Sequence, residues 1–147
     1  MTSAILTDIG SAMYPHNAGS AKEANYCYHI TGEVRHHDHI AFDKGSDIPE
    51  NMASVKSARF TLVSGKLVKG DTMEEQWADY KARVHSKLFV YVTKDNVAYE
   101  MNMNEFEKFV FTFCKMERES NKNGGGLKIR CKSESKELIE WLATKVA

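Results

Sequence analysis

Glu23, Asp47 and Lys56 are residue types that hydrolyse a phosphodiester when the chain brings them together. That reaction needs a hard cation held by carboxylate oxygens, with waters left in its shell. The cation polarises the phosphoryl oxygen and lowers the pKa of a bound water. A lysine beside it orients or deprotonates that water and stabilises the developing charge. In the run Ser54-Val55-Lys56, strand alternation sends Ser54 and Lys56 to one side. Taken singly, each residue also has a plainer reading. Glu23 can be an exposed helix carboxylate, Asp47 a turn residue with local hydrogen bonds, and Lys56 a solvated strand residue.

Two further groups carry possible chemistry. Arg35-His36-His37-Asp38-His39 puts His37 and His39 on one face of a strand, where two imidazoles can share a transition metal. The same run also reads as a polar edge strand. Farther on, Lys115, Arg118, Lys122, Lys128, Arg130 and Lys132 surround Gly124-Gly125-Gly126. A glycine loop with cations around it can approach a phosphate backbone closely. It is not a Walker loop, because no Lys-Ser or Lys-Thr follows the glycines. A solvated surface loop is the simpler alternative.

The elements that must position these residues follow from local pattern. Met1 to Asn17 reads as an arm with at most a short helix. Ala18 to Ile30 has helical spacing, with Asn17 or Ser20 as cap and Gly32 as stop. His37–Phe42 and Met52–Val63 read as strands, separated by the turn-rich Lys44–Pro49. Asp71 or Thr72 opens a second helix, with Trp77, Tyr80 and Val84 on one stripe. Leu88–Thr93 and Val97–Met101 form a hairpin. Asn104 is the expected cap of a third helix, whose apolar face is Phe106, Phe109, Val110 and Phe113. Glu117–Gly126 reads as a loop, Leu127–Cys131 as a strand, and a last helix follows Ser133 or Ser135.

The chain of 147 residues has the length of one domain and enough material for a core. Hydrophobic residues make up 42% and charged ones 27%, which argues against wholesale disorder. The 20 basic and 20 acidic residues cancel, so net charge neither supports nor excludes a nucleic-acid partner. No apolar run reaches the roughly 20 residues that span a bilayer. The start lacks the basic and apolar pattern of a signal peptide. Cys27, Cys114 and Cys131 are odd in number and widely spaced, as free thiols of a reducing compartment are. The expectation is a cytoplasmic protein with no membrane attachment.

The chain resembles the PD-(D/E)XK nuclease superfamily, which includes many restriction endonucleases. Gly19-Ser20-Ala21-Lys22-Glu23 is similar to the G-x-x-x-E signature of the first helix, and Gly45-Ser46-Asp47-Ile48 to the metal-binding aspartate. Ser54-Val55-Lys56-Ser57 resembles the E-x-K strand in its V-K-S form, with Ser54 where the family has an acid. Glu50 or Asp43 stands near enough in sequence to supply that carboxylate. Otherwise Glu23 and Asp47 hold the metal alone, or the fold persists without the activity.

The resemblance implies an α/β (α+β) fold with an αβββαβ core, a mixed central sheet flanked by helices, and an extra hairpin and C-terminal helices. Residues 1–16 would be an arm, 17–93 the core and 94–147 a peripheral elaboration, all in a single domain. It further implies a restriction or phage-defence endonuclease using Mg2+, or Mn2+, on double-stranded DNA. Glu23 and Asp47, with Glu50 as a migrated ligand, would bind metal, Lys56 would activate water and Ser54 would line the site. The basic C-terminal residues would grip DNA, and cutting both strands favours a homodimer. The alternatives are a non-catalytic DNA- or protein-binding module on the same fold, and a metal enzyme centred on His37 and His39.

Overall fold

Residues 3–35, 48–58, 60–62, 71–118, 127–131 and 133–145 are described by the computed structural model. Asp47, His37, His39, Lys122, Lys132 and the expected strand His37–Phe42 lie outside them.

The chain opens with β1 (Ser3–Ile5) and α1 (Gly10–Met13). The arm is therefore built into the fold, as β1 pairs antiparallel with a strand more than ninety residues later. The first long helix, α2 (Ala18–Thr31), starts where its signals put it. The Asn17 side chain accepts from Ser20 N, and Gly32 closes the helix in the left-handed region at φ 73°.

The single strand expected over 52–63 is two short ones, β2 (Ala53–Ser57) and β3 (Phe60–Thr61), which join different sheets. Then come α3 (Met73–Arg83), capped by Thr72, and the hairpin of β4 (Leu88–Val92) and β5 (Val97–Met101). Asn96 takes φ 61° in its turn, a conformation asparagine tolerates. The third helix, α4 (Met103–Phe113), is capped by Asn102 rather than Asn104. Asn102 and Glu105 form a reciprocal capping box. Part of the expected loop is β6 (Lys115–Arg118), antiparallel to β7 (Leu127–Cys131), and α5 (Lys136–Lys145) ends the described chain.

Among the described residues, the strands form a mixed sheet in the order β1-β5-β4-β2 and a small antiparallel sheet in the order β3-β7-β6. β2 and β4 are parallel, so a crossover must join them, and α3 lies within it. β5 sits inside the mixed sheet, between β1 and β4, so the hairpin expected at the periphery belongs to the framework.

The mixed sheet separates two apolar layers. On one face Ala53, Val55, Val90, Val92 and Ala98 pack with Tyr26 and Cys27 of α2. On the other, Phe89, Tyr91, Tyr99 and Met101 meet α4, α5, α3 and the small sheet. There Phe89 and Phe106 stack with centroids 4.4 Å apart. β4 faces apolar layers on both sides, which is why its sequence is a continuous Leu-Phe-Val-Tyr-Val rather than an alternation. No helix among the described residues is long and apolar enough to cross a membrane.

Candidate functional site

A cavity of about 720 Å3 opens where β2 and β4 end. One wall is the first turn of α2, with Ala18, Gly19 and Lys22. The floor is Ser57 and Ala58, and the far wall is Lys94 with Ser133 and Glu134. A smaller hollow of about 260 Å3, lined by Phe113, Lys115, Arg130, Ser133 and Ser135, shares Ser133 with it. Two helices thus begin at this rim. Asn17 caps α2, and the Ser135 hydroxyl accepts from Leu138 N at 3.1 Å to cap α5.

Hydrogen bonds fix these walls. Lys22 Nζ donates to Asn96 Oδ1 at 2.7 Å and to Lys94 O at 3.2 Å, both neutral acceptors, so its charge is held in place without being cancelled there. Asn25, buried under the wall, donates to Asn96 Oδ1 at 2.9 Å and to Asp8 Oδ1 at 3.1 Å. Its own Oδ1 accepts from Ile9 N and Gly10 N. Glu134 accepts from Lys94 N and, at 3.0 Å, from the Tyr91 hydroxyl. Burial, and then the Glu134 carboxylate, push the Tyr91 hydroxyl far above its ordinary value, so it stays a donor. Arg130 pairs with Glu117 at 3.6 Å on the small sheet.

The residues singled out by the hydrolytic reading are distributed differently. Glu23 lies half-buried on α2, the helix that covers the Val55 face. Lys56 is the next residue after Val55 and points the other way, its ammonium 6.0 Å from the Phe60 ring centroid. Phe60 belongs to the opposite layer, so α2 and Lys56 stand on opposite faces of the sheet. Ser54 is buried. Glu50 sits in a 3-10 turn before β2 and is paired with Arg35, which holds its carboxyl below the ordinary range. It is at the opposite end of β2 from Lys56, about 10 Å away or more along the strand.

Among the described residues there is no group of three or more His, Cys, Asp or Glu side chains able to hold a metal. Of the expected DNA-binding residues, Lys115 and Arg130 border the smaller hollow, while β6 and β7 carry Arg118 and Lys128 in their register. Lys22, Lys94, Ser57 and Ser133 were not singled out from sequence. The signal for them was present in the caps at Asn17 and Ser135, which mark where helix N-termini and their neighbouring lysine must lie. Searches of protein-family models, of curated proteins and of solved structures found no match to this chain.

Proposed function

We propose that this chain is a DNA-binding module that grips the phosphate backbone along the two hollows flanking Ser133. The observation that carries the reading is that two neighbouring hollows share Ser133 as a lining residue, with Lys22 and Lys94 lining one and Lys115 and Arg130 the other. Lysine and arginine neutralise phosphates and release counterions. Helix N-termini add a favourable field for anions. Lys94 and Lys115 are exposed, so reversing them leaves the core intact. Fluorescence anisotropy on a labelled double-stranded oligonucleotide is expected to show binding that weakens as salt rises. Lys94→Glu with Lys115→Glu lowers both affinity and the salt slope, by about one unit of slope for each phosphate that is no longer neutralised. Wild-type binding that ignores both salt and these substitutions refutes the reading.

A second reading, a Mg2+-dependent endonuclease, draws support from the order of elements. α2, β2, β3, α3 and β4 follow in that order around a mixed sheet, in keeping with part of the αβββαβ core that the resemblance to the PD-(D/E)XK superfamily implies, although β3 joins the other sheet. The described carboxylates do not fit a cation beside Lys56, because α2 with Glu23 covers the other face and Glu50 is engaged by Arg35. No hydrolytic step is therefore assigned to them, and this reading rests on Asp47 and its neighbours. It requires plasmid DNA to be nicked with Mg2+ or Mn2+ by the wild type and left intact by Lys56→Ala. Plasmid that stays supercoiled with wild-type protein across both metal titrations removes it.

A further inference from the structure

The small sheet holds two thiols that DNA binding does not use. β6 and β7 pair antiparallel with Lys115 opposite Arg130 and Met116 opposite Ile129. One step back along that register sets Cys114 opposite Cys131. Residues facing each other in such a ladder have Cα atoms about 4.5 to 5.5 Å apart, within the roughly 4.4 to 6.8 Å that a disulfide spans. Both side chains belong to the same buried cluster, near enough for each thiol to perturb the other. Cys131 Sγ also lies 3.7 Å from Ser133 O. Both are buried, at 5% and 1% exposure. Cys27 differs: it is buried under α2 in the other apolar layer, with the Thr31 hydroxyl 3.9 Å from its sulfur.

We propose that Cys114 and Cys131 are a peroxide-oxidisable pair that closes into a cross-strand disulfide. The facing Cys114 thiol lowers the Cys131 thiol from its ordinary value, and Cys131 with burial raises Cys114. The first sulfur to ionise reacts as its thiolate, whichever of the two it is, and Cys131 serves as the example. It attacks one oxygen of hydrogen peroxide, the O–O bond breaks, and a sulfenic acid and hydroxide result. Cys114 then gives up its proton and attacks the sulfenic sulfur. The S–S bond forms as the S–O bond breaks, and the second hydroxide leaves. The two hydroxides take the two thiol protons. In sum, two thiols and one peroxide give one disulfide and two waters, the sulfurs losing the two electrons that the peroxide gains. Hydrogen peroxide is scarcely larger than water, so local opening of the short β3–β7 pairing is enough to admit it. The bond ties the end of α4 to the end of β7, two residues before Ser133, which lines both hollows.

The test is peptide mapping after the folded wild-type protein and Cys27→Ser are treated with hydrogen peroxide, quenched, unfolded and alkylated. The expected product is a peptide cross-linked between Cys114 and Cys131, lighter by two hydrogens and split by dithiothreitol, with Cys27 alkylated in the wild type. Cys114→Ser and Cys131→Ser should lose the cross-link and carry the remaining cysteine alkylated or over-oxidised. Should either serine variant fail to fold, the wild type and Cys27→Ser decide the matter alone. The proposal is overturned if Cys114 and Cys131 are recovered separately, alkylated or as sulfinic and sulfonic acids, without the cross-linked peptide. It is equally overturned if Cys27 takes the place of either.

Discussion

Asn25 is the side chain on which the wall of the larger hollow depends, and replacing it with alanine tests that dependence. It is 1% exposed. Its oxygen accepts from Ile9 N at 2.9 Å and Gly10 N at 2.7 Å, and its nitrogen donates to Asp8 at 3.1 Å and Asn96 at 2.9 Å. An amide side chain has two donor hydrogens and two acceptor lone pairs, and here all are used. Alanine strands the buried Gly10 N–H, at about 1–3 kcal/mol, and removes three less buried bonds worth about 0.5–1.5 kcal/mol each. Water reaching the more open end offsets part of this, which leaves a loss of about 3 kcal/mol. That is a large share of the roughly 5–15 kcal/mol that holds a domain together. In urea denaturation followed by circular dichroism, with m of about 1.5–2 kcal/mol/M, the midpoint should fall by about 1.5–2 M.

Asn25→Asp sharpens the test, because it keeps the acceptor pair and alters only the donors. Its new oxygen faces the Asp8 carboxylate and Asn96 Oδ1, both acceptors. Burial and the like charge raise the new carboxyl's folded pKa above its unfolded value near 3.9. A group raised on folding favours the folded state fully below the unfolded pKa and loses that contribution as pH rises through the folded one. The variant should therefore approach wild-type stability in acid and fall away toward neutral pH. A midpoint shift below about 0.3 M for alanine, or an aspartate variant with no such pH trend, refutes the reasoning.

Two other perturbations probe the same corner. A Cβ on Gly10 would stand 2.2 Å from Ala21 O, a main-chain atom inside α2 that cannot swing away. Gly10→Ala should cost about 1–3 kcal/mol and lower the melting temperature by several degrees in a thermal scan. Asp8 is held below its ordinary carboxyl value by the Ser11 hydroxyl and then by Ser11 N. A lowered pKa contributes stability above the unfolded value and loses it as pH falls through the folded one. Ser11→Ala should therefore flatten part of the acid limb below about pH 4, by a small amount because the pair is exposed.

Where the sequence was informative, the signals were local. Asn17 and Gly32 bracket α2, Thr72 opens α3, and Asn96 turns β4 into β5, each through a bond or dihedral made within a few residues. The start of α4 lies two residues before the expected one: Asn102 and Asn104 both suit a cap and each has a glutamate three positions on, but Glu105 closes the box on Asn102 while Glu107 accepts from the Trp77 indole. What was not legible depends on distant partners. β1 is three residues without pattern, made a strand by β5. β6 is Lys-Met-Glu-Arg, made a strand by β7. At Ser54-Val55-Lys56 the alternation was readable, but which face α2 covers was not. That choice falls to Val55 because Tyr26 and Cys27 supply an apolar surface, and it sends Lys56 toward Phe60.

Overall neutrality does not by itself weigh against the proposed phosphate contacts, because what matters is which acids stand near them. Glu50 is paired with Arg35 and Asp79 with Arg83, away from the hollows, while Glu117 pairs with Arg130 and offsets part of that residue's charge in the smaller one. Asp8 and Glu105 are engaged by hydroxyl and main-chain donors. Glu134 does lie in the larger hollow, and its donors, the Tyr91 hydroxyl and Lys94 N, are neutral, so one negative charge stands among the cations there. Lys22 likewise directs its hydrogen bonds to neutral oxygens. Among the described residues, Lys22, Lys94 and Lys115 are thus the lysines that line the two hollows, against the single carboxylate Glu134. Lysines and helix starts meet phosphates, which position a duplex, and do not read base edges. An interface of this make-up belongs to the range of sequence-independent binding, with Kd of about 10−4 to 10−6 M at physiological salt. Tighter or sequence-selective binding by this chain would have to draw on residues beyond the two hollows.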